Sequence, residues 1–344
     1  MGAKHESELL ERDRKAEHIR LALEKRMQSA HSVWDDWAFE HVALPELDRA
    51  DIDTSVTFLG RTLRAPLLIS CMTGGTGAAS RINKNLAIAA EECQVAIGLG
   101  SQRKALEDAT QARTFQVREQ APTVPLIGNL GAVQLNYGFG IAECEACVSM
   151  IGADALALHL NPLQEAIQPE GQCDFSGLLE RIGDTARDLS VPVIVKEIGC
   201  GLSEDVGRAL AERGVRYLDT AGLGGTSWAR IEAQRANDPS LGELFADWGV
   251  PTPDSVQALA SIPGVTVIGS GGIRTGLDTA KAIALGADVV GAAYPFLEAA
   301  VESPEKVVAR IKRTIEELRI SMFCTGARTI ADLRRARLGK KTPK

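Results

Sequence analysis

Short apolar runs alternate along this chain with longer stretches in which apolar residues recur every three or four positions. The runs are Pro66–Cys71, Val95–Leu99, Pro125–Gly128, Ala155–Leu160, Pro192–Val195, Tyr217–Leu218, Thr266–Ile268 and Val289–Ala292. Continuous apolar strands separated by helices indicate a parallel sheet covered on its outside. Eight such units predict a closed barrel rather than an open doubly wound sheet. Helical spacing is clearest over Ile82–Cys93, Ala142–Gly152, Asp205–Gly214, Pro253–Ser261 and Asp278–Gly286, several with glycine at the end. A further helix is expected over Pro304–Arg319, and Val56–Leu59 reads as a strand. The longest irregular insert, Leu223 to Val250, follows the sixth strand and is expected to cover the site.

The expected fold class is therefore α/β, a (βα)8 TIM barrel with an N-terminal polar extension. Residues 1–60 are expected to form the extension, lying over the barrel, and residues 61–335 the barrel itself, as a single domain. The 344 residues suffice for that, since such a barrel takes about 250 residues plus insertions.

Composition narrows the chemistry. With 45% hydrophobic and 24% charged residues, an ordinary soluble globular protein is expected. A net charge of −7 and only 4% aromatics argue against a nucleic-acid surface. An anionic substrate would need a local basic cluster. The seven cysteines are scattered, which implies no disulfide framework and fits a reducing cytoplasm. Cys144 and Cys147 form a C-x-x-C without a second pair or a nearby histidine. That is half of a four-ligand zinc site, and the pair reads as part of a helix. No apolar stretch reaches about 18 residues, so no membrane span is expected. Met1 to Arg26 is too charged for a signal peptide.

In such a barrel the active site is built at the C-terminal ends of the strands. Those ends read Met72-Thr73-Gly74-Gly75, Ser101-Gln102-Arg103, Asn129, His159-Leu160-Asn161 with Gln164-Glu165, Lys196-Glu197, Gly224-Gly225-Thr226-Ser227, Gly271-Gly272-Ile273-Arg274 and Ala292-Ala293. Gly271-Gly272 after the seventh strand, with Ala292-Ala293 after the eighth, matches the phosphate site of such barrels. Small residues let the backbone approach an anion, and its N–H groups bind it; the alternative is that they are tight turns only. Lys196 directly follows Val193-Ile194-Val195 and is expected to point into the mouth. A buried ammonium is costly unless paired. It should therefore meet an anionic group, which in a flavin barrel is the N1–C2 edge of the ring, or else pair only with Glu197. The amide and carboxylate of Gln164 and Glu165 suit substrate orientation and a hard cation such as Mg²⁺. His159 reads equally well as structural or catalytic. Arg14-Lys15-Ala16-Glu17-His18 alone reads as a solvated helix face.

Together these motifs resemble the type 2 isopentenyl-diphosphate isomerases. The resemblance rests on Arg14-Lys15-Ala16-Glu17-His18, Met72-Thr73-Gly74-Gly75, Gly100-Ser101-Gln102-Arg103, His159-Leu160-Asn161-Pro162-Leu163-Gln164-Glu165, Val195-Lys196-Glu197, Gly224-Gly225-Thr226-Ser227-Trp228, Ser270-Gly271-Gly272-Ile273-Arg274, and Met322-Phe323 with Thr325-Gly326. It runs from about residue 12 to about residue 333. The segment 159–165 is its most specific piece; the glycine motifs are shared with other flavin barrels.

The resemblance implies flavin mononucleotide (FMN) held by Cys71, Met72, Thr73, Ser101, Asn129, Lys196, Thr226, Gly271, Gly272, Arg274, Ala292 and Ala293. It implies a small diphosphate substrate bound by Arg14, Lys15, His18, Ser101, Gln102 and Arg103, with Asn161 and Gln164. It puts His159, Gln164 and Lys196 at the catalytic centre and Glu165 on Mg²⁺. The implied reaction interconverts isopentenyl and dimethylallyl diphosphate by a 1,3-allylic proton shift, for isoprenoid biosynthesis. Reduced FMN would serve as acid and base, with NAD(P)H as reductant. A homo-oligomer, tetramer or octamer, is also implied. Two departures are visible. Cys71 stands where serine or alanine is more usual, and Asp219-Thr220-Ala221-Gly222-Leu223 varies a stretch expected as D-V-S-G.

Two other readings compete. An FMN-dependent oxidoreductase of the hydroxy-acid oxidase kind would want a histidine base and an arginine pair late in the barrel. Here the only histidine beyond His41 is His159, on the fourth strand. A non-catalytic flavin- or phosphate-binding sensor would not need the basic N-terminal cluster, Gln164 and Glu165 together.

Overall fold

The computed structural model describes residues 17–24, 27–29, 32–236 and 238–341. Eight parallel strands close into a barrel in sequence order. They are β1 (Leu67–Ile69), β2 (Ala96–Gly98), β3 (Leu126–Gly131), β4 (Ala155–His159), β5 (Val193–Lys196), β6 (Tyr217–Asp219), β7 (Thr266–Ser270) and β8 (Val289–Ala292). Closure is made by β8 on β1, with Val290 opposite Leu67 and Ala292 opposite Ile69. Each of the eight expected runs supplies one strand.

Strand periodicity sorts the side chains into two layers. Leu68, Ile127, Ala155, Ala157, Ile194, Ile268 and Val289 point inward and pack on one another. Their neighbours Leu67, Ile69, Leu126, Leu156, Leu158, Val193, Val195, Val267 and Val290 point outward into the layer shared with the helices. The helices include α1 (Gly77–Cys93), α2 (Ile141–Ile151), α3 (Pro162–Ile167), α4 (Leu178–Asp188), α5 (Glu204–Glu212), α6 (Trp228–Ala233), α7 (Thr252–Ala260), α8 (Gly276–Ala284), α9 (Tyr294–Glu302) and α10 (Pro304–Cys324).

The segment expected as a strand at 56–59 is one arm of a hairpin, Val56–Phe58 against Arg61–Leu63. Its two-residue turn needs positive φ at both positions, which Leu59 (48°) and Gly60 (73°) supply. Phe58 and Leu63 are buried against the inward layer, and Phe58 meets the ring of Tyr217, the first residue of β6, edge-on at 6.1 Å. The N-terminal end of the barrel is thus plugged, which leaves the C-terminal end for a ligand.

Ahead of the barrel, residues 17–22 are helical, and Trp37–Phe39 pairs antiparallel with Leu338–Lys340. Trp34 is fully buried. Cys144 and Cys147 lie inside α2, and burial pushes both thiols up to about 12. They are packing residues. Among the described residues, no group of three or more His, Cys, Asp or Glu side chains is arranged to hold a metal, and no helix is long and apolar enough to cross a membrane.

Candidate active site at the barrel mouth

The inward layer changes character at its top. Continuing the alternation one step beyond the apolar residues brings in Ser70, Asn129, His159, Lys196, Asp219 and Ser270, all polar. All of these but Asp219 line a cavity of about 320 Å³ at the C-terminal mouth. That size suits a small organic ligand.

His159 and Asn129 form a pair, with His159 Nδ1 2.9 Å from Asn129 Oδ1. Burial, with help from the charge of Lys196, pushes the imidazole down to about 3. The ring is therefore neutral at ordinary pH, and the Asn129 oxygen puts its proton on Nδ1, leaving a lone pair on Nε2.

Lys196 is buried, and its Nζ donates to the backbone oxygen of Glu197. The Glu197 carboxylate turns elsewhere. Its Oε2 accepts from the backbone N–H groups of Ile198, Gly199 and Cys200 at 2.6, 2.8 and 2.6 Å. Among the described residues, no carboxylate oxygen lies within 4.0 Å of the Lys196 ammonium. Asp219, its neighbour on β6, is pushed up by burial while Lys196 pulls it down, and it accepts from Ser270 Oγ. Lys196 is thus a buried cation with room for an anionic partner.

The loop after β7 owes its glycines first to packing. A Cβ on Gly271 would lie 2.3 Å from Thr252 Oγ1, and one on Gly272 would lie 2.4 Å from Gly224 O. Their φ angles of +117° and +69° add to that demand. What suits an anion is the backbone left over. Among the described residues, the N–H groups of Gly272, Ile273 and Ala293 find no acceptor. Arg274 follows, its guanidinium 5.0 Å over the Tyr294 ring. It has no carboxylate within 4.0 Å among the described residues. Burial lowers its pKa. A capping box between Thr275 and Asp278 at the start of α8 fixes the loop, and Asp278 also accepts from the Arg274 backbone.

Glu165 is buried on α3. Its Oε1 accepts from Asn161 Nδ2 at 2.8 Å, and its Oε2 accepts from the Gln172 backbone at 2.7 Å and from Gln168 Nε2. Asn161 is buried too, and its Oδ1 has no partner among the described residues. Gln172 also accepts from Arg103 and Gln134, so the loop after β2 is tied to the loop after β4.

A further network was not foreseen. Glu232, fully buried on α6, accepts from Gln164 Nε2 at 2.8 Å and from Arg235 at 2.7 Å, and lies 3.3 Å from His18. Burial opposes its ionisation, but His18, Gln164 and Arg235 outweigh it and hold the carboxyl at about 2. His18 also meets Trp228 edge-on at 5.2 Å. The polar segment before the barrel is thereby fastened to the insert after β6. Nothing in the local sequence around Glu232 flags this.

The cavity gathers most of the expected residues. Cys71, Met72, Thr73, Asn129, Lys196 and Thr226 line it, as do Gly271, Gly272, Arg274, Ala292 and Ala293. So do His18, Ser101, Arg103, His159, Asn161, Gln164 and Glu165. Gln102 does not reach it. It is fully buried beneath the floor, donating to Cys147 O at 2.9 Å and accepting from Asn129 N at 3.0 Å. Both ends of its amide are used to hold β3 and α2, so the side chain supports the floor rather than lining the cavity. Arg14 and Lys15 lie outside the described residues.

Comparison with known proteins agrees with this geometry. A sequence model of the FMN-dependent dehydrogenase family matches residues 20–124 and 172–340. An isopentenyl-diphosphate delta-isomerase from Synechococcus sp. is 54% identical over 328 residues, covering 94% of each chain. The enzyme of that name from Paracoccus zeaxanthinifaciens is 50% identical over 331 residues, covering 93% of this chain and 95% of its own. Among solved structures, a mandelate oxidase variant with benzoyl-formic acid superposes with a TM-score of 0.65 at 16% identity, covering 95% of this chain and 98% of that one. A lactate oxidase from Pediococcus acidilactici gives a TM-score of 0.65 at 16% identity, covering 90% and 85%. These last two show a shared fold alone.

Proposed function

The chain belongs to the isopentenyl-diphosphate delta-isomerases, built on the FMN-dependent dehydrogenase fold, and from that premise we propose how its mouth moves the double bond of isopentenyl diphosphate to give dimethylallyl diphosphate. The observation that carries the reading is Lys196, a buried ammonium at the cavity floor with no carboxylate beside it among the described residues. The oxidase alternative loses its footing. The oxidases share the barrel at 16–18% identity, whereas the isomerases share about half of all residues over nearly the whole chain.

The reaction adds a proton to the terminal CH₂ carbon and removes one from the allylic CH₂, with no net redox change. The side chains at the mouth do not offer both an acid and a base. His159 is held neutral, and Glu232 is held ionised by three partners. Reduced FMN, when bound, would supply the acid/base chemistry that these side chains lack, and NAD(P)H would supply the hydride that keeps it reduced.

The residues present fit FMN. Lys196 would hold the ring edge on which negative charge gathers. The N–H groups of Gly272, Ile273 and Ala293, without an acceptor among the described residues, would with Arg274 hold its phosphate. Glu165 would hold Mg²⁺ on the substrate diphosphate, and the partnerless Asn161 Oδ1 beside it supports a cation or donor arriving with the substrate. Arg103, together with Arg14 and Lys15, would neutralise the diphosphate, with His18 beside it. Gln164, held by Glu232, would fix the allylic end. Residues 1–60 would act as a cover over the barrel of 61–335, as His18 at the cavity wall supports.

The seven cysteines are all free, which supports a reducing cytoplasm. Exposed Leu241, Leu244 and Trp248 support a homo-oligomer, tetramer or octamer. The deciding experiment is an anaerobic assay of isopentenyl diphosphate with FMN, NADPH and Mg²⁺, omitting each in turn. Dimethylallyl diphosphate should form without stoichiometric NADPH oxidation, and product formation undiminished without FMN would refute the reading.

A further inference from the structure

Residues 27–29 cross the mouth beside two loops that bear on the cavity. Ser227 N donates to Met27 O at 2.8 Å and Ser29 N to Gly225 O at 2.9 Å, around an antiparallel bridge between Gln28 and Thr226. Arg230 Nη1 fixes the Gln28 carbonyl at 3.1 Å. The backbone of Gln28 is therefore set by the insert after β6. Its side chain reaches further. Nε2 donates to Thr226 Oγ1 at 2.9 Å, and Oε1 accepts from Nη2 of Arg274, on the loop after β7.

The choice of a neutral amide here has a consequence. Arg274 is largely buried, and its other side-chain hydrogen bond goes to the backbone oxygen of Ile273 at 3.3 Å. Both of its acceptors are uncharged. A carboxylate in the place of Gln28 would hold the guanidinium at least as firmly, but it would also cancel the charge, and a buried Arg–carboxylate pair has little attraction left for a second anion. We infer that Gln28 is a positioning residue for anion binding, one that orients Arg274 beside Gly271-Gly272 while leaving its full positive charge for the phosphate of the flavin nucleotide. The inference rests on FMN placing its phosphate at that loop.

The test uses the full chain freed of flavin and titrated with FMN and with riboflavin, which lacks the phosphate, following flavin fluorescence. The wild-type protein should prefer FMN strongly. Gln28→Glu should leave riboflavin affinity within about twofold and weaken FMN by roughly tenfold or more, the factor that ~1.4 kcal/mol represents. Gln28→Ala, which removes the acceptor but adds no charge, should weaken FMN less, by about threefold. Equal losses for both ligands would make Gln28 a merely structural tie and overturn the inference. So would an unchanged FMN-to-riboflavin ratio in both variants. A wild-type protein indifferent to the phosphate would instead overturn the phosphate site, and the inference with it.

Discussion

Gln164 Nε2 donates to Glu232 Oε1 across 2.8 Å, joining the loop after β4 to a helix 68 residues further along the chain. The carboxylate is also shared with Arg235 and His18. Removing its charge weakens the hold on Gln164 and His18 and leaves Arg235 only the more exposed Glu17 carboxylate, at 3.4 Å. We expect Glu232→Gln to lower kcat/KM at least tenfold, because Gln164 and His18, both lining the cavity, lose their common support. Steady-state kinetics beside thermal unfolding will separate this from simple loss of fold.

The same residue predicts an acid limb of stability. Its folded pKa, about 2, lies below the unfolded 4.5, so its stabilisation is present above pH 4.5 and lost as pH falls toward 2. At roughly 1.4 kcal/mol per unit this amounts to about 3 kcal/mol. Urea unfolding of wild type and Glu232→Gln between pH 7 and pH 3 should show the two converging. A constant gap would contradict the assignment.

His159, held down to about 3, should not titrate in the working range. Because its folded value lies below the unfolded 6.5, its contribution to stability holds above pH 6.5 and fades as pH falls from there toward 3. Nitrogen NMR of the imidazole should show a neutral, Nδ1-protonated ring from pH 8 to pH 5 with no midpoint near 6.5.

Lys196→Met should keep the barrel, since the side chain makes one hydrogen bond among the described residues, but should lower the midpoint potential of the bound flavin and cut turnover by about 10²–10³-fold. Potentiometric titration is the decisive reading. An unshifted potential would remove Lys196 from the ring edge.

Cys71 and Gly98 offer a packing test. A Cβ on Gly98 would lie 2.5 Å from Cys71 Sγ and 3.3 Å from Cys71 N. Gly98→Ala should destabilise by about 1–3 kcal/mol, and adding Cys71→Ala should recover part of that. Denaturant midpoints of the two single variants and the double variant measure the coupling.

The barrel was legible because its strands are buried on both faces, so each leaves an apolar run that a residue count can find. Parity then makes Lys196 and His159 legible, since each follows an alternating strand whose inward positions are known. What stayed hidden was partnership at a distance. Glu232 meets Gln164 and His18, and Gln28 meets Thr226 and Arg274 across 198 and 246 residues, with no periodicity to announce them. The direction of Gln102 was hidden for a related reason. Its position at the rim is plain from the sequence, but the side chain's direction is decided by the Cys147 carbonyl on a different helix.

The pairing of Trp37–Phe39 with Leu338–Lys340 fixes an order of events in the life of the molecule. Trp37 waits for a partner about 300 residues downstream, so a nascent chain can curl its sheet long before this seam is sewn. Trp34, three residues earlier, hangs from Gly271 O by its indole nitrogen at 3.1 Å. A polypeptide interrupted before Leu338 would lack the partner strand of Trp37–Phe39 and leave Trp34 the bond to Gly271.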